Sequence, residues 1–103
     1  MFGGQNMQQM MKQMKKMQSQ MQEEQAAIAE TEYLGKSPED LVIAKFNGDR
    51  QLLDLQIKSD VIDPEDPEEL SDMVVMAVND ALAKVEADSQ KRLGKFAPQG
   101  MGF

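Results

Sequence analysis

Apolar residues near the start of the chain recur at Met7, Met10, Met14, Met17, Met21 and Ile28, at spacings of 3, 4, 3, 4 and 7. That is the a/d repeat of an amphipathic helix, with Glu24 at the one seam position that is not apolar. The stretch from Gln5 to about Glu30 is mostly Gln, Met, Lys, Glu and Ala, without Gly or Pro, and predicts a long helix. At about 1.5 Å per residue it is about 40 Å long. It is too polar to be buried all round, so it is expected to project from the body of the protein. The period then shortens to two. Leu41–Phe46 and Leu52–Ile57 read as strands separated by Asn47-Gly48-Asp49-Arg50-Gln51, where Asn-Gly tolerates the positive φ of a tight hairpin. Leu53, Leu55 and Ile57 alternate with Asp54 and Gln56, which predicts one buried and one wet face. A shorter strand at Glu32–Gly35, ending at the break Gly35-Lys36-Ser37-Pro38, is expected to pair with Leu52–Ile57. The sum is a three-stranded antiparallel sheet.

Helical periodicity returns after an acidic connector, Asp60–Asp66. Asp66-Pro67-Glu68-Glu69 combines an N-cap, proline at the first helical position and a capping acid three residues on. This helix should end at Leu93 before Gly94, with Lys91 and Arg92 in its last turn. Leu70, Met73, Val74, Ala77, Ala81, Leu82 and Val85 form its apolar stripe, widened by Val75, Met76 and Val78. Met73–Val78 is thus apolar nearly all round, more than one small sheet can cover, so a second subunit is expected against it. The class is α+β, one domain over 1–96: helix 5–30, sheet 31–58, helix 67–93. Residues 97–103, with Pro98, Gly100 and Gly102, are expected to form a flexible tail.

The chain has 103 residues and no His, Cys or Trp. This excludes disulfides, thiolate or imidazole metal sites and the usual nucleophile–base pairs. No apolar run approaches the roughly 20 residues of a membrane span, and no signal peptide is recognisable, so an intracellular protein without a membrane partner is expected. The net charge of −7 is unevenly spread. Residues 1–30 are neutral overall, with Lys12, Lys15 and Lys16 preceding every acid. Residues 31–90 carry 15 acids against 5 bases, and residues 91–103 carry Lys91, Arg92 and Lys95 and no acid. A polyanion responds to local field, which fades over about 8–10 Å at physiological salt.

Motifs for catalysis are missing: there is no phosphate-binding glycine loop and no dinucleotide fingerprint. The acids from Asp60 to Glu69 do not match a calcium loop, and the helix cap already accounts for Asp66 and Glu69. Thioethers are soft ligands for copper(I), but packing explains their heptad spacing. No enzyme activity, metal or cofactor is expected. The methionine helix has three open roles. It is core or dimer seam (Met14, Met17 and Met21, with Met73, Val74, Val75, Met76 and Val78 on the second helix), or an adaptable surface for another protein, or an arm whose lysines meet a polyanion. The first and third are compatible, because Lys15, Lys16 and Lys12 occupy positions b, c and f, away from the seam.

Several pieces in order carry a resemblance. They are Met1-Phe2-Gly3-Gly4 before the Met/Gln/Lys helix with Met10-Met11-Lys12-Gln13-Met14, the Asn47-Gly48 hairpin, the strand ending at Ile57 and the acidic Asp-Pro connector. Leu70-Ser71-Asp72 and Asn79-Asp80-Ala81 in the last helix complete the set. Over nearly its whole length the chain resembles the YbaB/EbfC family of bacterial nucleoid-associated proteins. It departs from the family at Lys36-Ser37-Pro38-Glu39-Asp40, where glycines are usual. The resemblance implies a tweezer-like homodimer with projecting helical arms, cytoplasmic and nucleoid-associated, binding duplex DNA without catalysis. Phosphate contacts are then expected from Lys12, Lys15, Lys16, Lys91, Arg92 and Lys95, with polar contacts from Asn6, Gln9 and Gln13. The alternative is an acidic dimeric protein-interaction module using the methionine helix. Single-stranded nucleic acid fits less well, since only five aromatics without basic-aromatic interleaving give no stacking platform.

Overall fold

A computed structural model describes residues 3–96, with side chains from Asn6 onward. Helix α1 (Gly3–Glu30) leads into strand β1 (Glu32–Lys36), β2 (Val42–Asn47), β3 (Leu52–Ile57) and helix α2 (Pro67–Leu93). Short 3₁₀ turns lie at Pro38–Asp40, Ser59–Val61 and Gly94–Phe96. The tail at 97–103 lies outside the described residues. The molecule measures 79 × 25 × 16 Å, a length set by α1 running out past the body. No helix among the described residues is long and apolar enough to cross a membrane.

The sheet is an antiparallel meander in the order β1-β2-β3. This corrects the expected pairing of the short strand with Leu52–Ile57: β1 pairs with β2, Tyr33 opposite Phe46 and Gly35 opposite Ala44. Loop closure explains the outcome, because only residues 37–41 separate the two strands and a short connection favours its immediate neighbour. Ser37 completes that turn. Its N–H donates to the Val42 carbonyl at 3.0 Å and its Oγ accepts from the Val42 N–H at 2.9 Å. Within the turn, Glu39 and Asp40 take positive φ, 58° and 56°.

β2 is the central strand, and its Val42, Ala44 and Phe46 meet Tyr33, Val61, Ala77, Ala81 and Val85 in the core. Helix α2 covers β1 and β2. Gly35 lets it come close: a Cβ there would lie 2.1 Å from the Ala77 carbonyl oxygen and 2.3 Å from the Ala81 nitrogen. Gly48 serves a second close approach, for its Cβ would lie 2.0 Å from the Ile28 carbonyl oxygen. The positive φ of this hairpin falls instead on Arg50, at 62°. Asn47 holds the turn through Oδ1, which accepts from the N–H groups of Asp49 and Gln51 at 2.9 and 3.0 Å.

β3 departs from expectation on its faces. A bulge sets Leu52 opposite Phe46 and Asp54 opposite Lys45, leaving Leu53 as the extra residue. Leu52, Leu55 and Ile57 then share the side on which α2 sits, but α2 lies over the other two strands. Leu52, Leu53 and Ile57 are exposed and Leu55 is half-buried, so the predicted buried face is not covered within one chain. On α2, Asp66 caps the start by accepting from the Glu69 N–H at 3.3 Å, and Pro67 follows, as expected. The other end differs in kind. Gly94 stays right-handed, at φ −59°, and the helix tightens into the 3₁₀ turn instead of stopping on a left-handed glycine.

Candidate nucleic-acid interface

Helix α1 touches the body only through its last turns. Ile28 is buried, Met21 is half-buried, and every described side chain from Asn6 to Gln20 is exposed. Met7, Met10, Met14 and Met17 are 63, 61, 61 and 50% exposed, forming an apolar row along the arm. Lys12, Lys15 and Lys16 stand on the far side of the helix, one turn apart, with no ion pair among the described residues. Three ammonium groups thus share about 6 Å of helix axis, and no acid precedes them. This is the clearest positive feature of the chain.

The second basic cluster is placed differently. Folding brings acids onto it that lie far away or one turn off in sequence. Arg92 Nε lies 3.1 Å from an Asp88 oxygen and 3.9 Å from Glu24 Oε1, and Lys95 Nζ lies 3.5 Å from Glu24 Oε2. Lys95 also sits over the Phe96 ring, 5.2 Å from its centre. Glu24 therefore breaks the heptad for a reason. At the point where α1 crosses the end of α2, a carboxylate is more useful than a methyl group. Lys91 is exposed and unpaired among the described residues, so of the three C-terminal cations it alone is free as placed. The joint also frames an open cleft of about 490 Å³ lined by Met17, Gln20, Glu23, Glu24, Lys95 and Phe96.

Beneath the joint, the Tyr33 hydroxyl donates to Asp88. Burial, then that hydrogen bond and the carboxylate charge, push the Tyr33 phenol above its usual range. Sequence reasoning missed this link, because Tyr33 and Asp88 are 55 residues apart and neither sits in a motif. The same holds for the outer edge of β1. There Asp80 accepts from the Lys36 N–H at 2.9 Å, and Lys84 Nζ donates to the Leu34 carbonyl at 2.7 Å. The Lys36 N–H is the main cause holding the Asp80 carboxyl below the usual range; burial opposes it and Lys84 assists. Side chains thus satisfy the edge that another strand would use. No such caps occur at β3 among the described residues, and apolar Leu52, Leu53, Ile57, Ile62, Val75 and Met76 lie exposed. Met73, Val74 and Val78 are half-buried against the chain's own core, whereas Val75 and Met76 face outward.

Comparison with known proteins places these features in a lineage. Residues 3–101 match the YbaB/EbfC DNA-binding family. A nucleoid-associated protein of Lactococcus lactis subsp. lactis is 57% identical over 98 residues, which cover 95% of this chain and 98% of the relative. A nucleoid-associated protein of Enterococcus faecalis is 50% identical over 103 residues, 100% of this chain and 99% of that one. A crystal structure of a Helicobacter pylori protein, 32% identical, superposes with a TM-score of 0.59 and covers 84% of this chain and 95% of its own. With a family match across nearly all its length and relatives at 50–57% identity, the chain belongs to the YbaB/EbfC DNA-binding family.

Proposed function

We propose that this protein binds duplex DNA as a homodimer in the bacterial cytoplasm, in an architectural or regulatory role and without catalysis. The observation that carries the reading is the free cluster Lys12, Lys15 and Lys16 on an arm that holds it clear of the acidic body. Lys91 adds a further unpaired cation, whereas Arg92 and Lys95 reach phosphate only by letting go of Glu24. Contacts of this kind grip the backbone and carry no base code. The capped β1 edge and the open, apolar β3 side support a second copy docking at β3, with Val75 and Met76 nearby to share the contact.

The test is a salt titration on duplex DNA. Two arms with three lysines each neutralise about six phosphates, so log affinity should fall against log salt with a slope near −5. Changing Lys12, Lys15 and Lys16 together to Gln should flatten that slope and leave the body folded. Binding that survives the triple change intact rules out the arm as the contact. The exposed methionine row favours a second reading, an acidic dimer that holds a protein partner. On that reading duplex association is weak or indirect, and Met10, Met14 and Met17 changed to Gln lose the partner without unfolding the body.

A further inference from the structure

Among the described residues, the fold leaves the methionine face of α1 from Met7 to Met17 without a neighbour. We infer that this face is a homotypic clasp: it packs antiparallel against the same face of α1 from a second copy, Met7 level with Met17 and Met10 level with Met14. The contact is separate from the β3 side, and its formation at low protein concentration rests on the DNA binding proposed above. Where β3 already joins two chains, it links one pair to the next.

Three observations select a second copy as the occupant. The first is the repeat itself. The four most accessible seam residues are Met7, Met10, Met14 and Met17, at steps of 3, 4 and 3. Reversed, the same steps read 3, 4 and 3, so one arm turned end for end offers an a residue to every d residue of the other. The second is the flanks. Positions e and g, which face across a helix pair, hold Asn6, Met11, Gln13, Gln18 and Gln20, with no charge among them. Charges at these positions set partner choice and orientation in paired helices, by attraction or by repulsion. An arm without them meets no repulsion from a copy of itself and offers a charged foreign helix nothing to pair with.

The third is the placement of charge. With the overlap centred on residue 12, each Glu24 lies about 18 Å from the centre, which keeps the two acidic bodies about 36 Å apart. That is several times the Debye length of about 8 Å, so repulsion between the bodies is screened. A parallel pair would set them side by side. The lysines at b, c and f stay outside, and a clasped pair presents six of them along one short rod. Buried area is on the order of 1,000 Å², at or below the lower bound for a specific interface, so the clasp is weak in free solution. Chains held on one duplex meet at an effective concentration near 1 mM, where such a contact forms.

The absence of cysteine makes a clean test possible. Full-length Met10→Cys and Met14→Cys chains are mixed at about 1 mM, the concentration that tethering supplies, and mildly oxidised. Disulfides between position 10 of one chain and position 14 of the other should exceed like-with-like disulfides several-fold. They should also exceed those of Ser19→Cys, which points outward. Predominance of like-with-like disulfides overturns the antiparallel clasp, and yields no higher than the Ser19→Cys control overturn any clasp. Sedimentation over the same range gives a second readout. Wild-type mass should rise beyond that of the pair joined at β3 to twice that value, and Met10→Glu with Met14→Glu should hold it at the pair while circular dichroism stays unchanged. Growth beyond the pair that persists in this variant also overturns the clasp.

Discussion

Gly35 and Gly48 owe their identity to neighbouring backbone, not to their own dihedral angles. A methyl group at either position meets main-chain atoms at 2.0–2.3 Å, which no rotamer change relieves. Gly35→Ala or Gly48→Ala should therefore cost about 3 kcal/mol, the upper part of the overpacking range, read as a shift in urea midpoint at constant m-value. Asn47-Gly48 marks the hairpin correctly in the sequence, yet for a reason only partly right, because the close pass of Ile28 is a tertiary fact. Tyr33 supports a pH prediction. Its folded pKa is raised, so the neutral phenol is favoured in the fold. Its contribution is complete below the unfolded value near 10 and lost as pH climbs through the folded one. Thermal stability of the wild type should fall faster above pH 10 than that of Tyr33→Phe, and the two curves should converge.

At the scale of elements, what the sequence displays is what short-range physics decides. The α1 heptad, the Asn-Gly turn and the Asp66-Pro67 cap each depend on residues within a few positions, and each forms where its pattern lies. Strand order and strand coverage depend on where α2 lands, and that is written in no local pattern. Hence the local pattern points β1 to the wrong neighbour and β3 to a cover it lacks. The basic C-terminus misleads in the same way, since Glu24 reaches Lys95 across 71 residues. The joint yields a prediction. Glu24→Gln should free Lys95 and loosen Arg92, steepening the salt slope of duplex binding by about 0.9 for each cation that then meets phosphate. An unchanged slope beside intact wild-type binding means that these two groups never reach DNA.

The whole molecule joins an acidic body to a basic, methionine-faced arm, and the two halves handle self-contact differently. Along the arm, charge is kept off the flanks. On the sheet, one margin is sealed by Asp80 and Lys84. Removing the seal should have a visible cost. Asp80→Ala with Lys84→Ala leaves Lys36 N–H and the Leu34 carbonyl open to other chains, and concentrated samples should gain turbidity and thioflavin fluorescence absent from the wild type.

The stopper at β1 also limits how far strands can be added from chain to chain. A ribbon that can be extended on one flank only has a single vacancy per molecule. Two molecules that fill each other's vacancy leave nothing for a third, so extension ends there instead of running on into a fibre. The sealed margin thus denies strand pairing at the open flank the chance to nucleate amyloid.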